Sequence, residues 1–484
     1  MTGLSLSRQA SEAMRWNAAT GGVTLISQFV QLAVLARVLP PHEFGLAATA
    51  VSLAGLLQGL ADLGLPGALV QRTSLEEKTW SSALWACSGA GIFLSGMLMV
   101  ASSPAESLLK LPGLAPLLCA AAWTIPWSGA ASVFQADLQR HLRFASLARA
   151  EILSALFSLA ATLAYCAWRK EAMALLAGQI ALTLSRSITL GWQSTISFRA
   201  VPRWGSLQPL RAFAGYQLGQ HTLTYAMSNL DRLLVARLLG AASAGLYSVA
   251  SQIALRPLAL LGPFVIRTLF PLLARLQDDP ERLRSSFLRS LSLLGILAAG
   301  IYSLMFGLAE PLTRLVLGPG WEPALPTLRV LSVLGFLWVM MNPLGSLALA
   351  LGRAGTGFWI NVLIIAANAG AVFMGSRYGI LGAALGMVLA TVLLAPIDFF
   401  LMWRWIGLSP FKAVREAGWP LLPGAVTAAS LTLIGIGTRG LPAWLSLAQG
   451  CVAGVAAFIV TSWIFRGKRF KEAWLELLIK VKGN

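Results

Sequence analysis

The sequence predicts an all-α polytopic membrane protein. It has fourteen transmembrane helices: two six-helix lobes related by a parallel repeat, plus two additional C-terminal helices, with both termini cytoplasmic. Three observations carry that prediction. The 484 residues are 57% hydrophobic and 12% charged, with a mean hydropathy of +0.72, and a soluble domain carries about twice that share of charge. Apolar runs long enough to cross a bilayer recur from end to end, leaving no room for a sizeable soluble domain. Lys and Arg concentrate in alternate loops between those runs, which fixes an orientation. The net charge of +18 therefore reflects topology rather than a nucleic-acid partner.

The expected spans are 17–39, 44–70, 79–101, 113–137, 144–167, 172–195, 212–239, 242–270, 290–309, 326–351, 356–376, 379–402, 417–438 and 442–465. With a cytoplasmic N-terminus, 23 of the 37 basic residues fall in cytoplasmic segments and six in the opposite loops. That asymmetry also supports an even number of crossings. Trp16, Trp80, Trp168, Trp204, Trp403 and Trp444 lie near span ends, as an interfacial aromatic belt requires. The first span lacks a clear small-residue cleavage site and reads as an uncleaved helix. Cys87, Cys119, Cys166 and Cys451 stand singly in or beside apolar runs and read as small buried hydrophobes.

The first six spans and the next six read as copies at an offset of 200. Ala36-Arg37 matches Ala236-Arg237, Leu39 matches Leu239, and Gly45-Leu46 matches Gly245-Leu246. Each segment joins the first and second spans of its half, and Leu114-Ala115-Pro116 pairs similarly with Ala324-Leu325-Pro326. Copies six spans apart keep the same orientation, so the repeat axis runs along the membrane normal. The expected organisation is an N-terminal lobe at 1–195, a basic linker at 196–211, a C-terminal lobe at 212–410, two extra spans at 411–466, and a basic amphipathic tail at 467–484 lying on the cytoplasmic membrane surface.

Two spans carry polar stripes at helical spacing. Asn17, Thr20, Thr24, Gln28 and Gln31 line the first; Gln217, Gln220, His221, Thr224, Ser228 and Asp231 line the seventh. Lipid cannot satisfy such a stripe. At equivalent positions of two parallel halves, the stripes are expected to face one central water-accessible cavity.

Eight arginines fall inside predicted spans: Arg37, Arg149, Arg186, Arg232, Arg237, Arg256, Arg267 and Arg329. Arg186 and Arg256 lie deepest, where snorkelling explains them least. Arg256 also precedes Pro257, with Pro263 beyond, which together suggest a bend. Arg37, Arg237, Arg267 and Arg329 sit close enough to span ends to snorkel. Asp231 and Arg232 are adjacent and so point about 100° apart; each needs an outside partner, and Asp231 is a candidate for ion coupling or gating. Arg149 either meets an anion near the cytoplasmic side or pairs with Glu151 or Asp62. Asp62 and Asp398 are expected at the cytoplasmic interface. His221 is either a proton-sensitive group or a hydrogen-bonding partner.

The run Asn229-Leu230-Asp231-Arg232-Leu233-Leu234-Val235-Ala236-Arg237, followed by Leu239-Gly240 and Gly245-Leu246-Tyr247, resembles the seventh span of bacterial polysaccharide flippases. Pro257, Pro263, Leu269-Phe270-Pro271, the loop from Gln277 to Arg284, Gly318-Pro319-Gly320-Trp321 and Gly352-Arg353 extend the resemblance across the chain. The group resembled is the Wzx-like, O-antigen and exopolysaccharide branch of the multidrug/oligosaccharidyl-lipid/polysaccharide export superfamily.

That resemblance implies an inner-membrane flippase. It would move an undecaprenyl-pyrophosphate-linked oligosaccharide from the cytoplasmic to the periplasmic leaflet by alternating access. H+ or Na+ is the implied coupling ion, membrane lipid the medium, and other polysaccharide assembly proteins the implied partners.

Arginine suits such cargo independently, since its planar fork binds phosphate bidentately and stays charged. Candidate cavity residues are therefore Arg186, Arg256, Arg232, Arg149, Gln28, Gln31, Gln217 and His221. The competing drug-antiporter branch usually places an acid in its first span, and 17–39 holds none. A membrane polymerase or ligase would lack the parallel six-span repeat. No Walker sequence, metal-ligand cluster or nucleophile triad stands out, so no enzyme activity, cofactor or metal is expected.

Overall fold

The computed structural model describes residues 6–72, 75–196, 202–438 and 440–482. Among them every regular element is a helix. The chain divides into two compact units, Met1–Gly245 and Leu246–Asn484.

The first unit contains α1 (Leu6–Val38), α2 (Pro41–Ala61), α3 (Leu65–Gln71), α4 (Glu77–Leu109), α5 (Leu114–Ala122), α6 (Thr124–Arg140), α7 (Phe144–Trp168), α8 (Met173–Gln193) and the greater part of α9 (Arg211–Ala254). Helix α7 packs along both α8 and α1, α4 along α6, and α6 along α8. Leu69, Cys87, Val133 and Leu210 form a fully enclosed core between α3, α4, α6 and the turn before α9.

The second unit contains the end of α9, then α10 (Arg256–Arg275), α11 (Pro280–Gly307), α12 (Ala309–Val316), α13 (Leu325–Ala350), α14 (Ala354–Gly375), α15 (Gly379–Ile406), α16 (Pro410–Gly418), α17 (Leu421–Gly437) and α18 (Ala443–Lys482). Its core runs through Phe287, Leu291, Tyr302, Val339, Leu347 and Met402. The last two long helices join this unit, α17 packing on α11 and α18 on α17.

Among the described residues, twelve stretches are long and apolar enough to cross a membrane. At 51 and 52 residues, Trp204–Ala254 and Gly355–Ile406 exceed one crossing. Both contain a break at a positive-φ glycine, Gly240 and Gly379. Gly240, at φ 82° and ψ 176°, adopts a conformation open essentially to glycine alone.

Several predicted spans prove to be two helical pieces. The 44–70 segment is α2 and α3, joined at Leu63 and Gly64, whose φ values of 53° and 67° are left-handed. The 113–137 segment breaks at Trp123, just ahead of Pro126. The 242–270 segment changes from α9 to α10 at Leu255, beside Pro257.

Large apolar side chains face outward over much of both units, among them Val100, Trp192, Val452 and Trp463, which suits a hydrocarbon solvent. Cys87 and Cys166 are buried as expected, but Cys451 is exposed on α18, correcting the reading of all four thiols as interior. Lipid-facing and core-facing positions are equally apolar in such a helix, so periodicity could not separate them. Helix α18 continues through the expected tail to Lys482. The amphipathic face proposed for that tail, like the side chains of Asn17, Pro263 and Arg267, lies outside the described residues.

Candidate functional site

Three helices of the first unit bring polar stripes together. Ser128, Ser132, Gln135 and Gln139 follow one face of α6; Glu151, Ser154, Ser158 and Thr162 follow one of α7; Gln179, Thr183, Arg186 and Gln193 follow one of α8. Where they converge, Arg186 Nη2 donates to Gln135 Oε1 at 3.0 Å and lies 3.6 Å from Glu151 Oε1. The Nε of Arg186 is buried with no hydrogen-bond partner. The side chains of Arg186 and Glu151 remain 34% and 44% exposed. Arg186 sits seven residues before the end of α8, which is about 10 Å along the helix.

Further along α7, Thr162 Oγ1 accepts from Gln31 of α1 at 2.7 Å and donates to the Ser158 carbonyl at 2.9 Å. Both side chains lie over Gly178 of α8, where an added Cβ would meet Gln31 Nε2 at 2.5 Å. Gln31 is therefore directed into the six-helix bundle. Gln28 is half-buried on α1, close to Thr24, whose Oγ1 is buried without a partner.

The stripe on α9 meets the α2–α3 break. Gln217 Nε2 donates to His221 Nε2 at 3.0 Å, and His221 Nδ1 lies 3.3 Å from Asp62 Oδ2. A neutral imidazole carrying its proton on Nδ1 satisfies both contacts. Asp62 Oδ1 also accepts from the Gly64 amide at 2.8 Å, and the Asp62 carbonyl accepts from Cys87 Sγ at 3.3 Å. Asp62 thus holds the left-handed turn and anchors His221. His221 acts here as a hydrogen-bonding partner, and Asp62, half-buried, meets it rather than Arg149.

Glycines bring α2 and α9 into backbone contact along that network. A Cβ on Gly64 would fall on the Ala214 carbonyl, one on Gly55 on the Tyr225 hydroxyl, and one on Gly45 on the Ala241 carbonyl. Tyr225 donates to the Ser52 carbonyl at 2.7 Å. The last contact is reciprocal, because a Cβ on Gly245 would fall on the Pro41 carbonyl. Pro41 and Ala241, like Gly45 and Gly245, are 200 positions apart, so each glycine meets the residue matched to the other's partner.

The remaining candidates are placed differently. Arg149 is exposed and turns back onto its own helix, to the Ala145 carbonyl at 3.4 Å and Ser146 Oγ at 3.3 Å; Glu151 pairs with Arg186 instead. Asp231 and Arg232 are half-buried on α9, and each is already engaged. Arg256 is the first residue of α10, half-buried and also engaged, at the break ahead of Pro257. It belongs to the second unit, whereas Arg186 belongs to the first.

Two residues at or beside the Arg186 cluster escaped sequence reasoning. Gln135 could have been found, since its stripe on α6 has the spacing that singled out the first and seventh spans. Asp137 is 2% exposed and holds Ser194 Oγ at 2.7 Å and the Thr195 amide at 2.9 Å; no local pattern announces that contact. No group of three or more His, Cys, Asp or Glu able to hold a metal occurs among the described residues.

A family model described as polysaccharide biosynthesis protein matches residues 34–326. The lipopolysaccharide biosynthesis protein WzxC of Escherichia coli is 27% identical over 402 residues, covering 82% of each chain. The succinoglycan biosynthesis transport protein ExoT of Rhizobium meliloti is 27% identical over 379 residues, covering 76% of this chain and 75% of that one.

Among solved structures, the lipid II flippase MurJ in an inward closed conformation aligns with a TM-score of 0.74 at 13% identity, over 94% of this chain and 99% of that one. An inward-facing multidrug resistance transporter of the MATE family aligns with a TM-score of 0.59 at 12% identity, over 84% and 95%. At these identities the two structures establish the fold. The family match spans more than half of the sequence, and the chain belongs to the polysaccharide biosynthesis protein family.

Proposed function

We propose that this chain is a flippase that carries a polyprenyl-pyrophosphate-linked oligosaccharide from the cytoplasmic to the periplasmic leaflet of the bacterial inner membrane, with Arg186 as a contact for the pyrophosphate. The observation that carries the assignment of the site is the under-satisfied guanidinium. One Nη2 bond to Gln135, a loose ion pair with Glu151 and a buried unpaired Nε leave most of five donors open. A pyrophosphate supplies the acceptor oxygens and negative charge that such a fork binds best. With the termini cytoplasmic, Arg186 lies on the cytoplasmic side of the membrane, where cargo loads. Relatives named for lipopolysaccharide and succinoglycan biosynthesis support that class of cargo.

The chain crosses the membrane fourteen times in this reading. The repeat organisation is a lobe at 1–195, a linker at 196–211, a lobe at 212–410 and two additional spans at 411–466. The reciprocal contact of Gly45 and Gly245 supports the repeat. Transport proceeds by alternating access coupled to H+ or Na+, with Asp231 as the coupling or gating acid, Arg256 and Arg232 as further cationic contacts, and other polysaccharide assembly proteins as partners. Drug antiporters share the fold, but the excess of arginines within spans and a first span without an acid favour an anionic cargo.

The test is export. Arg186→Gln and Arg256→Gln should each abolish surface polysaccharide while leaving the protein in the membrane at its normal level. Export at the unsubstituted level by both variants removes these residues from the site.

A further inference from the structure

We propose that Glu151 is a resident counter-ion which the arriving pyrophosphate displaces from Arg186, making the Arg186–Glu151–Gln135 cluster an anion-exchange site. This rests on the assignment of Arg186 as a pyrophosphate contact.

The geometry is that of a replaceable pair rather than a structural one. A structural Arg–carboxylate pair in an apolar setting is bidentate, closely bonded and fully satisfied. Here a single Nη2 faces a single carboxylate oxygen at 3.6 Å, and the Nε has no partner. The three side chains stand on three different helices, α6, α7 and α8, so Glu151 can swing away without moving Arg186. Gln135 stays behind as the group that orients the guanidinium, through its 3.0 Å bond. Half-exposure of both charged side chains leaves an approach open.

No other cation competes for Glu151 from its own helix. Arg149 is two residues away and therefore on another face, bonded to Ala145 and Ser146. Nor does the nearby acid Asp137 reach Arg186, since it is committed to Ser194, Thr195 and His141. Exchange meets both demands of transport. A diphosphate outbids one carboxylate because it brings more charge and more acceptor oxygens to the Nη groups. Once the cargo leaves, Glu151 returns and neutralises the arginine, which spares the empty site an uncompensated charge.

Farnesyl pyrophosphate is the probe, titrated calorimetrically against the full chain in phosphatidylcholine nanodiscs. Glu151→Gln should bind it about fivefold tighter than the unsubstituted protein, the factor released by a partly exposed ion pair. Glu151→Asp, one methylene shorter, should tighten it about twofold, which keeps the idea testable where the glutamine variant folds poorly. The gain should vanish in the Arg186→Gln background. Polysaccharide export by Glu151→Gln should fall while its affinity rises, a split that a merely structural role would not produce.

Unchanged or weaker binding by both Glu151 variants, with binding lost in Arg186→Gln, overturns the exchange and leaves the pyrophosphate contact standing. Full binding by Arg186→Gln overturns the contact itself.

Discussion

The reciprocal glycine contact makes an unusual quantitative prediction. A Cβ built on Gly45 would overlap the Ala241 carbonyl and lie 2.7 Å from the Gly245 nitrogen, about 0.8 Å inside the separation of roughly 3.5 Å at which such atoms pack. The obstacle is backbone, so no rotamer change relieves it, and Gly45→Ala should cost about 2 kcal/mol of stability through overpacking. Gly245→Ala presses on the Pro41 carbonyl and lies 3.1 Å from the Gly45 nitrogen, and should cost a similar amount.

The two costs share one strain. Once the first Cβ has parted the helices, the second enters space already opened, so the double variant should fall short of the sum by about 1 kcal/mol or more. Gly89 on α4 is the control: an added Cβ meets nothing within 4 Å, and alanine there should stabilise the helix by about 0.5–1 kcal/mol. Reversible unfolding in mixed detergent and SDS micelles measures the four variants against the unsubstituted protein. Additive costs at Gly45 and Gly245, or a Gly45→Ala no worse than Gly89→Ala, would refute the backbone contact.

Asp62→Ala strands the Gly64 amide and His221, and should cost about 1–3 kcal/mol, whereas Asp62→Asn keeps an acceptor and should be milder; equal losses in the same unfolding assay would contradict the capping role. Trp321 is only 1% exposed at the foot of α13, so Trp321→Ala should cost about 3–5 kcal/mol, and a stability change near zero would count against its burial. In detergent, Cys451 should react with N-ethylmaleimide in the folded protein, while Cys87 and Cys166 should react only after denaturation; early labelling of Cys87 would mean that its contact with the Asp62 carbonyl opens readily.

The sequence alone was enough to determine that this is a helical membrane protein of a polysaccharide biosynthesis family. Composition and apolar run length settle the solvent, because only a bilayer accommodates so many long uncharged stretches. Order and spacing of short motifs carried the family. The 200-residue echo was legible as well, since Gly45 and Gly245 stand at matched positions in the chain. What each polar residue touches was not legible. Gln31 and Gln28 are one turn apart on one stripe, yet Gln31 is committed to Thr162 on a helix 131 positions away. Glu151 was a plausible partner for Arg149, its near neighbour in sequence, but pairs with Arg186 across a helix interface. Asp62 and His221, separated by 159 positions, meet only because Gly64 lets two backbones touch. Helical spacing assigns a residue to a face of its own helix. Which neighbour that face meets is decided by the packing of glycines and small side chains between helices, and that information exists only in the folded chain.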